Sequence, residues 1–275
     1  MTAHDARAFH LLHRGPAPLL LPNVWDVASA LALVAEGFAA VGTTSLGIAA
    51  AAGRPDATRA VRDLTVQLAH RLAALPVPVT VDLEDGFDDD PVVVGDLVEG
   101  LPVAGVNLED STGGRLVSPR LHAAKVSAVK ERRPDVFLNA RVDTFWLGRD
   151  ATTGETVDRA LRYVDSGADG VFVPGQLTEE QISAVTSAVP VPVNVLATPE
   201  HTLPGLAELG VRRISTGSLL FRVALDEAVA VARRLRGGGP APGATAYGAV
   251  DERIRAYDRS RRSTENPGAS EADPQ

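Results

Sequence analysis

Val79-Thr-Val-Asp-Leu-Glu-Asp-Gly86 is an apolar, β-branched run that ends abruptly in carboxylates. The pattern recurs at Gly105-Val-Asn-Leu-Glu-Asp110 and, with an arginine added, at Val136-Phe-Leu-Asn-Ala-Arg-Val-Asp143. Charge that appears only where a buried strand runs out is expected of a barrel active site, because strand ends feed the catalytic loops. Asp82 and Glu84 lie two apart, which puts both on one face of a strand, and Glu109 closes the following strand. Gathered carboxylates repel one another. A hard divalent cation, Mg²⁺ or Mn²⁺, removes that repulsion, held directly by one carboxylate and through water by the others. The plainer alternative is that these acids cap helices or neutralise surface lysines. Three successive strand ends with a matching arginine favour the metal.

Working outward, short β-branched or apolar runs alternate with longer Ala/Leu/Arg-rich segments of helical period. Strands are expected at Leu19–Asn23, Ala39–Thr44, Val77–Glu84, Gly105–Glu109, Phe137–Val142, Gly170–Pro174, Pro192–Leu196 and Arg212–Thr216. Helices are expected at 26–36, 57–74, 91–99, 118–132, 153–166, 178–187, 204–209 and 217–236, with Thr178 as an N-cap. The strands read as continuous apolar runs, as strands covered on both faces do. Eight βα units give an α/β fold, a (β/α)₈ TIM-type barrel, spanning 1–236. An open doubly wound sheet would carry a glycine-rich turn after the first strand, where this chain has Leu21-Pro-Asn-Val-Trp-Asp26. Gly237-Gly-Gly-Pro-Ala-Pro-Gly243 then reads as a linker, and 247–260 resumes a helical pattern with Val250, Ile254 and Tyr257 on one face. That helix either folds back on its own barrel or packs on a neighbouring subunit. From 263 to 275 the composition is that of a disordered tail.

The 275 residues suit a barrel of about 250. With 45% hydrophobic residues and only 4% aromatic ones, Ala, Val and Leu must pack the core. A net charge of −8 argues against nucleic acid or an anionic membrane as partner. It leaves room for an anionic small molecule, whose local field a metal and an arginine can set. The chain has no cysteine, which excludes disulfides, zinc–thiolate sites and thiol catalysis. The absence of a signal-peptide layout and of a long apolar span makes a cytoplasmic protein the expectation.

The remaining candidates lie on the expected rim. Arg141, at the end of a core strand, offers a fixed fork suited to a carboxylate and to developing negative charge. Asp110 and Asp143 would orient neighbours such as Arg141. Trp25 and Asn194 also face the rim, and the small-residue loop around Ser45 could cradle an anion. Of six histidines, only His201, after the seventh strand, falls on the catalytic side as an acid or base candidate.

With these residues assembled, the chain resembles the isocitrate lyase/phosphoenolpyruvate mutase superfamily. The resemblance is carried by Pro22-Asn-Val-Trp-Asp26, Gly53-Arg-Pro-Asp56, Val81-Asp-Leu-Glu-Asp-Gly86, Val106-Asn-Leu-Glu-Asp110, Asn139-Ala-Arg-Val-Asp143 and Gly167-Ala-Asp-Gly170. It implies a barrel whose last helix is exchanged between subunits of a dimer of dimers, with 247–260 as the candidate. It implies Mg²⁺ held directly by Asp82 and through waters by Asp56, Glu84 and Glu109. A carboxylate substrate would be bound by Ser45, Leu46 and Gly47, and Arg141 would stabilise an enolate. Lyases of this superfamily carry a Lys-Lys/Arg-Cys-Gly-His loop after strand 4, whose cysteine is the catalytic acid; here Ser111-Thr-Gly-Gly-Arg-Leu116 stands instead. Arg115 is the mobile cation available in that loop. The resulting expectation is a Mg²⁺-dependent lyase or decarboxylase cleaving a C–C bond in an oxaloacetate-like or substituted 2-oxo/2-hydroxy dicarboxylate through pyruvate enolate. The alternatives are a P–C bond enzyme, namely a phosphonomutase or phosphonopyruvate hydrolase, and a non-catalytic metabolite-binding barrel.

Overall fold

The computed structural model describes residue 2 and residues 4–265. Strands β1 (Leu19–Leu21) and β2 (Asn23–Val24) are one extended run cut at Pro22, which has no N–H to give a neighbour. The cut is where the sheet closes. β1 pairs in parallel with β11 (Arg213–Ser215), Leu19 opposite Arg213, while β2 pairs with β3 (Val41–Thr43), Asn23 opposite Gly42. Strands β4 (Val79–Asp82), β5 (Gly105–Glu109), β8 (Phe137–Arg141), β9 (Gly170–Phe172) and β10 (Val193–Leu196) complete an all-parallel ring. The (β/α)₈ reading therefore holds, with the first strand in two pieces. The Asn23 side chain stitches the seam: its Oδ1 accepts the N–H groups of Thr216 (3.0 Å) and Gly217 (2.9 Å), and its Nδ2 donates to Thr43 O (2.7 Å).

Helices α2 (Val27–Ala35), α4 (Arg62–Leu72), α5 (Pro91–Glu99), α6 (Pro119–Arg132), α8 (Thr153–Asp165), α9 (Glu179–Ala188) and α10 (Leu203–Glu208) follow the strands in turn. The expected Thr178 cap is present as a full capping box with Gln181. Alternation along each strand sorts the side chains. Val79, Val81, Val106, Leu108, Leu138, Ala140, Val171, Val193, Val195 and Ile214 join the main core. The other parity fills the barrel in layers. Leu19, Leu21 and Phe137 form an apolar floor, closed by Phe9 from the N-terminal helix α1 (Ala6–Leu12). Above it sit the buried polar groups Asn107, Asn139, Asn194 and Arg213, and above those Asp82, Glu109 and Arg141.

Several expectations shift in detail. The second expected helix begins at Arg62 and not at 57, because the chain from Asp56 to Ala60 forms a loop with Ala57 and Arg59 in the left-handed region (φ 54° and 60°). Glu84 is not on a strand: β4 ends at Asp82, and Glu84 turns left-handed at φ 49°. The loop expected around Ser45 is a short helix, α3 (Ser45–Ala51), and a one-turn helix, α7 (Thr144–Leu147), follows β8. Ser111–Leu116 is a two-residue hairpin, β6 (Ser111–Thr112) against β7 (Arg115–Leu116), turning through Gly113 and Gly114 at φ 56° and 74°. Two successive positive φ values make the twist-matched hairpin turn that favours a glycine pair.

Helix α11 (Leu219–Arg236) buries only Phe221 and leaves Val223, Leu225, Val229 and Leu235 exposed. Helix α12 (Tyr247–Glu265) runs past the expected end at 260, and i,i+4 pairs Arg255–Asp251 and Arg262–Asp258 lie along it. Within one chain α12 folds back on the barrel: Tyr257 packs against the core, and its hydroxyl donates to the carbonyl of Arg71. Three residues of the expected tail are thus helical, and 266–275 lie outside the described residues. Among the described residues no helix is long and apolar enough to cross a membrane.

Candidate active site

Asp82 ends β4 with its backbone N–H given to Thr43 Oγ1 (2.9 Å) and its carboxylate facing the N-terminus of α3, where Ser45 N lies 3.4 Å from Oδ2. Gly47, one turn on, has no room for a side chain, since a Cβ there would stand 2.8 Å from Trp25 Cβ and 2.8 Å from Thr44 Cγ2. The Ser45-Leu46-Gly47 backbone is thereby pressed against the rim beside Trp25, whose ring meets Phe221 edge-on at 5.3 Å. Glu109 ends β5 opposite Arg141 on β8, and the guanidinium donates through Nη1 to Glu109 Oε1. Its Nε donates to Asp143 Oδ1 (2.6 Å), and Asp143 Oδ2 takes the Ser111 hydroxyl (2.5 Å). Asp143 is itself positioned by Asp110, which accepts its backbone N–H (2.8 Å), the Tyr163 hydroxyl (2.8 Å) and Arg159 Nη1 (3.0 Å). Asp110 and Asp143 are both fully buried, so this chain of bonds fixes Arg141 from behind.

Burial raises the pKa of Asp82, partly offset by Arg141 and reinforced by the charge of Asp56. Glu84 is pushed up to about 7 by burial, against the N–H of Arg59 and together with Asp82 and Asp56. Glu109 is raised well above the usual carboxylate range, first by burial, then by Asp143, Asp82 and Asp56 against Arg141. Burial alone would lower the pKa of Arg141, but Asp143, Glu109 and Asp82 outweigh it and hold the guanidinium charged. The four carboxylates Asp56, Asp82, Glu84 and Glu109 thus share one field, although they come from three segments.

Among the described residues no three carboxylates or imidazoles converge closely enough to hold an ion by direct contact alone. One direct ligand with water-borne supports is the arrangement these residues can offer. Two buried oxygens, Asp56 Oδ1 and Glu84 Oε1, have no hydrogen-bond partner. Unsatisfied anionic acceptors beside Asp82 suit the waters of a hard divalent ion such as Mg²⁺. The donor set fits that cation.

Two candidates stand elsewhere. His201 Nε2 is within 2.9 Å of the carbonyl of Leu177, which ties the ring to the loop before α9. Arg115 borders a separate cavity of about 250 Å³ with Leu116, Arg149 and Asp150. The hairpin that carries it is pinned at its base, by Ser111 to Asp143 and by Thr112 to Asp85. Sequence reasoning missed Arg59, whose N–H donates to Glu84 Oε2 (2.9 Å) while its guanidinium bridges Asp85 and Asp89. The acid-rich run from Asp85 to Asp90 was the available signal that a cation must sit nearby. It also missed Lys125, fully buried with Nζ on Asp85 O (2.8 Å). A lysine inside the apolar stripe His122–Lys125–Val126–Val129 of α6 was the clue there.

Residues 9–236 match the family described as phosphoenolpyruvate phosphomutase. An uncharacterised Mycobacterium tuberculosis protein (strain H37Rv) is 47% identical over 251 residues, covering 91% of this chain and 97% of its own. Two Burkholderia cenocepacia J2315 crystal structures superpose closely. One, provisionally described as a lyase/mutase, gives a TM-score of 0.83 at 32% identity, covering 92% of this chain and 96% of its own. The other, provisionally described as a phosphonomutase, gives 0.78 at 36% identity, covering 85% and 98%. Curated relatives at 29% identity or below include 2-methylisocitrate lyases, a phosphoenolpyruvate phosphomutase and an oxaloacetate decarboxylase. The barrel, its strand-end carboxylates and these matches together place this enzyme in the phosphoenolpyruvate phosphomutase family of the isocitrate lyase/phosphoenolpyruvate mutase superfamily, whose members are carbon–carbon lyases or mutases.

Proposed function

We propose that the enzyme cleaves a C–C bond in an oxaloacetate-like or substituted 2-oxo/2-hydroxy dicarboxylate. The electron pair of the broken bond stays as pyruvate enolate when a 2-oxo acid loses CO₂, or as the enediolate of the departing carboxylate when a 2-hydroxy acid releases pyruvate. The observation that carries this reading is Arg141: a cation only 12% exposed, clamped by Asp143 and Glu109 at the rim that also holds Asp82. Cleavage next to a 2-oxo acid leaves an electron pair as an enolate, and a fixed guanidinium lowers its energy as the charge develops, with no reorganisation at that moment. Asp82, supported through water by Asp56, Glu84 and Glu109, would hold Mg²⁺, whose chemistry is to polarise the 2-oxo oxygen. The N–H groups of Ser45, Leu46 and Gly47 bind the substrate carboxylate at the start of α3, with Trp25 as a wall and Asn194 on the opposite side. The chain has no thiol acid, which sets it apart from isocitrate-type cleavage.

The second reading, P–C bond chemistry, draws on the likeness to the phosphonomutase-like structure. A phosphonate calls for several cations, whereas Arg59 and Arg141 are each already engaged by two carboxylates. Incubation with Mg²⁺ and a panel of oxaloacetate, alkylmalates, methylisocitrate and phosphonopyruvate, with pyruvate and phosphoenolpyruvate as the readouts, tests both. Pyruvate from a dicarboxylate above the metal-only background supports C–C cleavage. Product from phosphonopyruvate alone overturns it.

The same reading makes the enzyme a soluble homo-oligomer, a dimer of dimers. The exposed apolar face of α11 and a cavity of about 240 Å³ bordered by Trp25, Ile48, Leu64 and Leu68 support an exchange of α11 with a second copy of the chain. Helix α12, the candidate the sequence offers for exchange, and α11 each touch their own barrel within one chain, through Tyr257 and Phe221.

A further inference from the structure

Arg213 sits inside the barrel beneath the site, 1% exposed, and among the described residues no carboxylate forms a salt bridge with it. Its three nitrogens are used unequally. Nε donates to Ser215 Oγ (3.2 Å) and Nη2 to Asn107 Oδ1 (3.2 Å), which also takes Asn139 Nδ2 (3.0 Å). Nη1 has no partner. On the floor side the guanidinium lies 5.9 Å from the Phe9 ring. Burial lowers its pKa to about 9, so it stays charged at neutral pH.

A guanidinium only donates. The Ser215 hydroxyl must therefore accept from Arg213, and its own proton goes to Asn194 Oδ1, 3.0 Å away. That fixes the Asn194 amide: its oxygen is consumed by Ser215, and Nδ2 is left inside the barrel, buried and unpaired. Asn194 is the register partner of Phe172 on β9, and Phe172 of Arg141 on β8, in a row that descends through Arg213 to Leu19 on the floor. The orphaned amide is thus two strands from the guanidinium that faces the intermediate, in the layer beneath it. Asn194 Nδ2 and Arg213 Nη1 are two buried donors with no acceptor among the described residues, and each suits an oxygen from outside the chain.

The geometry points to Arg213 and Ser215 as positioning residues that aim the Asn194 amide N–H at a carboxylate oxygen of the substrate. The inference rests on the dicarboxylate reading above. It differs from a polar core layer filled by water in making the Asn194 and Ser215 contributions interdependent.

A double-mutant cycle on the full-length enzyme with Mg²⁺ tests it, read as kcat/KM and as calorimetric binding of the accepted dicarboxylate. Ser215→Ala and Asn194→Ala should each cost about tenfold, mostly through KM, since one charge-directed hydrogen bond is lost in both. The double variant should be no worse than Asn194→Ala within twofold, and Ser215→Thr, which keeps the hydroxyl, should stay near the parent. Arg213→Lys should reproduce the loss of Ser215→Ala; if it does not fold, the Ser215 and Asn194 arms decide alone. Parent-like binding by Ser215→Ala, or losses that multiply in the double variant, would overturn the relay. A parent enzyme that neither binds nor cleaves any dicarboxylate sinks the proposed reaction instead. The relay is then judged without ligand, from the Asn194 side-chain amide signals in ¹⁵N spectra, identified by their loss in Asn194→Ala. They should shift in Ser215→Ala, and unmoved signals refute it.

Discussion

Adding Mg²⁺ should stabilise this protein more as the pH rises, and the sign follows from the rim carboxylates. Asp82, Glu84 and Glu109 all have raised pKa values in the folded chain, Glu84 at about 7. A folded state that holds its protons more tightly than the unfolded chain loses stability as pH climbs from the ordinary carboxylate range, near 4.5, through the raised values. The metal-free protein should therefore melt lower at pH 8 than at pH 5.5. A divalent cation neutralises the charges that appear on deprotonation, so its effect is small where they are protonated and full where they are not. At a free concentration of 100 Kd the gain is about 2.7 kcal/mol. At roughly 2–4 °C per kcal/mol for a chain of this size, Tm should rise by about 5–11 °C at pH 8. Differential scanning fluorimetry across pH 5.5–8.5, with Mg²⁺ against a matched chelator control, measures this directly. Asp82→Asn should remove most of the Mg²⁺ increment. An increment equal at pH 5.5 and 8, or one retained by Asp82→Asn, would show that the ion binds elsewhere.

Arg141→Lys should lower kcat/KM by about 10²–10³ with little change in Mg²⁺ affinity, because an ammonium cannot keep both carboxylates and face the intermediate; steady-state kinetics with metal titration check it. Asp110→Ala should cost about 3–5 kcal/mol in urea unfolding by removing the buried acceptor shared by Arg159 Nη1, the Tyr163 hydroxyl and the Asp143 N–H, whereas Asp110→Asn should lose less. If the proposed oligomer forms through α11, Val229→Glu should lower the mass read by light scattering, while Ile254→Glu on α12 should alter it less; an unchanged mass in Val229→Glu refutes that interface. Arg115→Ala should leave Tm unchanged and, if the hairpin closes over the substrate, reduce kcat/KM by about tenfold or more; a parent-like rate would make the hairpin scaffold.

The barrel was legible because its strands are covered on both faces: the run at Gly105–Glu109 carries no charge until its last residue, and the observed strand has the same bounds. Asp82, Glu109 and Arg141 were legible for the same reason, as charge placed where apolar sequence stops. The loop that carries Asp56 was not, because 57–74 has helical composition throughout and only tertiary bonds from Arg59 to Glu84 and Asp85 hold its start out of the helix. Glu84 was assigned the right neighbourhood and the wrong backbone, since a two-residue spacing assumes a strand that ends at Asp82. The Arg213–Ser215–Asn194 relay joins residues on two strands by side chains alone, and no periodicity in one sequence reports such a contact.

The split first strand sets an order on the birth of this molecule. Asn23 and Thr216, which seal the ring, are 193 residues apart. At roughly 5–20 residues per second of synthesis, the first strand waits about 10–40 s for its partner to emerge. Until then the nascent sheet is an open ribbon with unpaired edges, one running along β1, the kind of edge that recruits other chains. Pro22 faces the other way, its carbonyl taking the Gly42 N–H, so it does nothing to blunt that edge. The groups left waiting there are the Leu19 N–H, the Leu21 carbonyl and the Asn23 N–H, which find Arg212 and Thr216 only when the last strand arrives.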